Sequence, residues 1–168
     1  MGLVVRATTY ATLFIAVVLV YLPVQALSWM RVARPADLGL PQLVGAIATA
    51  IGGAVALWCI ATFVVVGRGT PAPFDPPRRL VIRGPYRHVR NPMYLGAGLA
   101  VAGAALFYEA GVLLAYAALF LLATHLLVVS YEEPRLRRTF GADYEAYCRR
   151  VRRWWPSVAR DEPTGVRK

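Results

Sequence analysis

Residues 83–96 read RGPYRHVRNPMYLG, three arginines, a histidine, an asparagine and two tyrosines at the lip of an apolar run that continues to Tyr108. Asn is a favoured helix N-cap and Pro a favoured first helical residue, so Asn91-Pro92 predicts a helix that starts at 92. A helix N-terminus presents free N–H groups and a partial positive charge, and Arg87, His88 and Arg90 add to that field. The stretch therefore predicts a site for a polar, partly anionic ligand. The plainer reading gives some of these charges to phospholipid phosphates.

Downstream, the apolar run from Pro92 is broken at Glu109-Ala110-Gly111 and resumes from Val112 to Ser130, which predicts a helical hairpin with Glu109 at its tip. Its first arm, about 16 residues at ~1.5 Å each, reaches ~24 Å against a hydrocarbon core of ~30 Å. That places Asn91 and Pro92 inside the near boundary of a bilayer. Upstream, Leu43–Val66 is unbroken and apolar, with Gly45, Ala46, Gly52, Gly53 and Ala54 as small residues that let helices approach. Ala11–Leu27, extended to Trp29, is long enough to cross and carries a kink-prone Pro23. A cleaved signal peptide is the rival there, given Arg6 and Val24-Gln25-Ala26, but the run is long for one.

The expected architecture is an all-α integral membrane protein of about four transmembrane helices, the last two a hairpin, plus a C-terminal amphipathic interfacial helix. As a single membrane domain over 1–168, it has spans at 9–29, 43–66, 92–108 and 111–131 and a connection at 67–91. A segment 132–156 then holds a cofactor site and an interfacial helix, and 157–168 is a tail. Within the connection, Pro71, Pro73, Pro76 and Pro77 stiffen the first half, and Leu80-Val81-Ile82 is a brief apolar step.

Composition agrees. Of 168 residues 58% are hydrophobic, yet the formal charge is +10, and the basic residues cluster at Arg6, in 68–90 and after Glu133. Apolar blocks separated by basic blocks describe a polytopic membrane protein rather than a nucleic-acid binder. The positive-inside rule puts both termini, 68–90 and the site in the cytoplasm, in a plasma or inner membrane. Cys59 and Cys148, with His88 and His125, offer no metal-binding spacing, so no metal is expected. His125 reads as a helix-bridging polar residue.

The companion stretch is Tyr131-Glu132-Glu133-Pro134. Two acids at the end of a span need partners or a purpose. Glu133–Arg137 has favourable i, i+4 spacing, and since neighbours on a helix differ by about 100°, one acid can pair so while the other faces inward. Pro134 leaves the Ser130 carbonyl free. Farther on, Tyr144, Tyr147, Cys148 and Val151 recur at helical spacing among arginines and end at Trp154-Trp155, which suits an anionic membrane surface. Basic donors on one segment, carboxylates on another and access from the bilayer suit a zwitterionic cofactor with an amino-acid head and a diol.

GPYRHVRNPMYLG, followed about forty residues later by YEEPRLRRTFGADYEAYCRRVRRWWP, resembles the isoprenylcysteine carboxyl methyltransferase and phospholipid methyltransferase superfamily over residues 80–156. The resemblance implies S-adenosylmethionine as cofactor and methyl transfer to a lipophilic acceptor: a prenylcysteine-like carboxylate, an isoprenoid or a phospholipid headgroup. The family's Arg-His-Pro-x-Tyr element falls on Arg90-Asn91-Pro92-Met93-Tyr94, with Asn91 in place of the histidine, and its paired glutamates fall on Glu132 and Glu133. By that carry-over Tyr94, Glu132 and Glu133 are the candidate catalytic residues. Arg87, His88, Arg90, Asn91, Tyr94, Gly96, Glu132 and Glu133 are the candidate cofactor ligands. Two other classes are a membrane-bound NADPH-dependent lipid reductase and a non-catalytic membrane scaffold. Neither the acceptor nor the oligomeric state is readable from the chain.

Overall fold

The computed structural model describes Gly2, Thr9, 12–67 and 79–156. Arg6, the prolines at 71–77 and the tail 157–168 lie outside these residues. All regular structure among the described residues is helical. Helix α1 runs Thr12–Trp29, α2 Leu40–Gly67, α3 Pro92–Phe107, α4 Gly111–Leu127 and α5 Glu133–Arg150. A wide π turn, Val128–Glu132, makes α4 and α5 continuous, and a short 3-10 turn, Gly84–Arg87, precedes α3.

Three of these helices are long and apolar enough to cross a membrane: α1, α2 and the one that begins at Gly111, whose apolar stretch ends at Ser130. The count of four expected from the sequence depends on α3, which is apolar but shorter, at 16 residues. Pro23 is buried within α1, where a π turn, Ile15–Tyr21, precedes it.

Helix α3 packs antiparallel on α2 through backbone contact. A Cβ on Gly45 would fall 2.6 Å from the Gly103 carbonyl oxygen, and one on Gly52 would fall 2.5 Å from that of Gly96. Without side chains at these positions the helices meet main chain to main chain, and Thr49 Oγ1 donates to Ala100 O across the contact at 3.1 Å. Gly53, one residue on, faces nothing within 4 Å. The α3–α4 hairpin turns at Tyr108–Ala110, where Glu109 takes φ +50° and its carboxylate accepts from Gln42 Nε2 at 2.8 Å. The hairpin tip is thereby tied to the start of α2. On the other flank, Tyr116 Oη of α4 donates to Val18 O of α1 at 2.7 Å.

Helix α5 bends at Gly141, the non-helical residue within it (φ +50°). Its apolar face, Tyr144 and Tyr147 with Val151 beyond, is buried against Leu80, Leu136 and Phe140. The face assigned from sequence to a membrane surface is therefore covered by the protein itself. Leu80 belongs to that cover, and Val81 packs beside Cys59 and Tyr86.

Candidate active site at the basic end of the bundle

The end opposite Glu109 gathers the end of α2, the 83–91 stretch, the start of α3, the α4–α5 junction and residues 151–154. Gly84, at φ +58°, turns the chain against the end of α2, where an added Cβ would lie 3.2 Å from Thr62 Oγ1. Tyr86 is buried edge-on to Phe63, with ring centroids 5.2 Å apart, and its carbonyl accepts from Tyr147 Oη at 2.8 Å. The stretch is thus docked on α2 from one side and on α5 from the other, which fixes where Arg90 and Asn91 emerge.

Residues 151–154 then cross back over the start of α3 as a strap. Arg90 N donates to Arg152 O at 2.9 Å, and Asn91 Nδ2 donates to Arg153 O at 3.2 Å. Asn91 does sit at the N-cap position and Pro92 at the first helical position, but the Asn91 side chain does not cap its own helix. It holds the strap instead.

The two glutamates diverge. Glu133 is buried, 3% exposed, and takes Arg153 in a fork, Nε to Oε1 at 2.6 Å and Nη2 to Oε2 at 2.9 Å. Arg90 lies 3.1 Å away and Arg137 3.5 Å. The i, i+4 pair anticipated from spacing is present as the longest of these contacts. Burial alone would raise the Glu133 carboxyl; the hydrogen bonds from Arg153 and the charges of Arg90, Arg153 and Arg137 outweigh it and hold the group below its ordinary value. Arg153 is raised in turn by its hydrogen bonds to Glu133.

Glu132 faces the other way. Its Oε1 accepts a hydrogen bond from Tyr94 Oη, from the first turn of the facing helix α3. Burial raises this carboxyl, the Tyr94 bond opposes that, and the neighbouring Glu133 charge raises it further. Tyr94 is 7% exposed and packs with Ala97, Phe120 and Val128.

Of the sequence-predicted ligands, Tyr94 and Glu132 are in contact, and Arg90, Asn91 and Glu133 meet through the strap. Arg87 and His88 are exposed on the same stretch. Gly96 lies elsewhere, at the α2–α3 contact, where an added Cβ would meet Gly52 O at 2.8 Å. Three residues of this end are not among the site candidates from sequence, which reads Cys148 and Trp154 as parts of an interfacial helix. Arg153 binds Glu133, Cys148 accepts from Arg90 Nη1 at 2.8 Å, and Trp154 donates from Nε1 to His125 Nδ1 at 3.0 Å. Among the described residues no cluster of His, Cys, Asp and Glu could hold a metal ion.

No curated protein matches the chain, and no solved structure does. The family model for phospholipid methyltransferases matches residues 40–143, from the start of α2 to just past the Gly141 bend. It takes in the 83–94 stretch, Tyr94 and both glutamates. This chain accordingly belongs to the phospholipid methyltransferase family, within the group of integral membrane methyltransferases.

Proposed function

We propose that this protein transfers a methyl group from S-adenosylmethionine to a lipophilic acceptor at the cytoplasmic face of a membrane. The observation that carries the reading is the contact of Tyr94 with Glu132 beside an arginine-clamped Glu133. A carboxylate held by a neutral hydroxyl keeps its charge for a ligand's cation, whereas Glu133 spends its charge on the protein. The residues fit the cofactor's groups: Glu132 suits its ammonium or ribose diol, Arg87 and His88 its carboxylate, and Tyr94 its adenosyl side. When bound, the cofactor supplies an electrophilic methyl group on a sulfonium.

The protein's own share is to hold, orient and dry the reactants, which supplies most of what such a transfer needs. Tyr94 and Glu132 fix each other between the start of α3 and the α4–α5 junction. Glu133, Arg90 and Arg153 fix the strap beside them. Asn91 stands where the family pattern has a histidine and cannot take a proton near neutral pH, which favours an acceptor that needs no strong base or arrives deprotonated. The acceptor class is a prenylcysteine-like carboxylate, an isoprenoid or a phospholipid headgroup. With α3 taken as a fourth crossing beside α2, we assign both termini and the site to the cytoplasmic side, a reading supported by the arginine distribution.

The test is calorimetric binding of S-adenosylmethionine to detergent-purified protein, followed by methyl transfer to acceptors that share a head and differ in tail length. Binding, with turnover that rises along the series, supports the proposal, since each buried methylene contributes ~0.8 kcal/mol. Absence of binding by folded protein overturns it. Membership in a methyltransferase family leaves the reductase alternative without support.

A further inference from the structure

His125 occupies a costly place. It lies three residues after Leu122 and four before Val129, so it shares their helical face, and Leu122, Leu126 and Val129 are 56%, 58% and 41% exposed. That stripe is the outward, apolar side of a helix long enough to cross a membrane. An imidazole there would meet hydrocarbon with its polar atoms unsatisfied, which is expensive. Trp154 covers it. The indole donates to Nδ1 at 3.0 Å, with ring centroids 5.9 Å apart, and its apolar body packs on the cluster that contains Tyr94, Ala97, Phe120 and Val128. One side of this side chain thus meets His125 at the outward stripe of α4, and the other packs on the buried cluster to which Tyr94 belongs. The strap residues before it are pinned by polar contacts to Arg90, Asn91 and Glu133, so Trp154 is held rather than draped.

We propose that Trp154, propped by His125, is the wall along which the apolar chain of a bilayer lipid passes to reach the site. It is a positioning and specificity residue for the acceptor. This rests on the methyltransferase reading for the identity of the site, while the lipid contact itself can be tested apart from catalysis. Trp155, 74% exposed, belongs to the interface beside it.

The experiment uses the full chain with 5-fluorotryptophan in nanodiscs of phosphatidylcholine, with the Trp154 resonance assigned by Trp154→Phe or, if that variant misfolds, by elimination from Trp29→Phe, Trp58→Phe and Trp155→Phe. A nitroxide on the middle of a phosphatidylcholine chain should abolish most of the Trp154 signal intensity, and His125→Ala should change the Trp154 shift. A Trp154 signal untouched by the chain nitroxide overturns the proposal. Binding of S-adenosylhomocysteine, read by calorimetry on the same sample, judges the methyltransferase reading separately: a broadened Trp154 without such binding keeps the lipid wall and removes the cofactor.

Discussion

Glu132 and Glu133 are adjacent and isosteric, yet replacing each with glutamine should damage different properties. In Glu133→Gln the carbonyl can still accept one donor, but the charge facing Arg153 at 2.6 Å, Arg90 at 3.1 Å and Arg137 at 3.5 Å disappears. Removing one partner of a buried pair costs about 3–5 kcal/mol. The side chains of Arg153 and Arg137 are 31% and 48% exposed, so solvent compensates part of the loss and the low end, about 3 kcal/mol, applies. For a chain of this size that lowers Tm by roughly 6–12 °C. In Glu132→Gln the amide oxygen still accepts from Tyr94, so stability should fall by less than the ~0.5–1.5 kcal/mol of an ordinary hydrogen bond. Affinity for S-adenosylmethionine should fall about 10- to 150-fold, the worth of a charge-assisted bond of ~1.5–3 kcal/mol. Thermal unfolding in detergent and calorimetry below both transitions read the two properties. The reverse pattern, with Glu133→Gln stable but unable to bind and Glu132→Gln binding normally, would refute this division.

Three other outcomes are expected from the same geometry. Gly52→Ala should destabilise by about 1–3 kcal/mol, as overpacking does, because its Cβ would meet Ala100 N at 2.5 Å, whereas Gly53→Ala should stabilise by roughly 0.5–1 kcal/mol; melting of the two variants checks the sign. Since the Glu133 carboxyl is held below its ordinary value of 4.5, its contribution is complete above that pH and is lost as pH falls through the lowered folded value; hydrogen exchange at 151–154 should accelerate there, and Glu133→Gln should remove the dependence. Cysteines placed at the exposed positions Asp37 and Thr139 should react with impermeant reagent from opposite sides of the membrane, and labelling of both from outside would overturn the orientation.

The helical hairpin was legible in the chain because its boundaries are chemical: Asn91-Pro92 starts one arm and Glu109-Ala110-Gly111 separates the two. That the 83–96 stretch and the Glu132-Glu133 stretch belong together was anticipated from the sequence; that Tyr94 meets Glu132 while Glu133 takes the arginines was not. Gly52 and Gly53, by contrast, are indistinguishable by composition, and only the rotation of α2 against α3 decides which meets a backbone. The strap was hidden for a similar reason. Arg153 lies 20 residues from Glu133 and Trp154 29 residues from His125, and in sequence both look like part of a basic, tryptophan-ended helix on a membrane. Their partners come from three separate segments, so burial of Glu133 is a tertiary result that no local pattern announces. The same holds for Tyr144 and Tyr147, whose spacing predicts an apolar face but not whether lipid or Leu80 covers it.

The divergence of the two glutamates has a backbone cause. A proline lacks the N–H that would bond the carbonyl four residues earlier, and its ring crowds that carbonyl. The helix must open ahead of it. Pro134 is preceded by the π turn Val128–Glu132, closed by Glu133 N to Val128 O, and Pro23 is preceded by the π turn Ile15–Tyr21, closed by Leu22 N to Val17 O. In each case the bond spans five residues rather than four, so the turn admits one more residue than an α-turn and shifts the register of the helix beyond it. In α1 this only keeps a long apolar helix continuous. At the α4–α5 junction it comes where polar residues begin, with Val128 buried at 1% exposure as its anchor. An α-turn there would rotate Glu132 and Glu133 by about 100° relative to α4, away from Tyr94 and from the strap. The proline is therefore part of how the site is aimed, although its side chain makes none of the polar contacts.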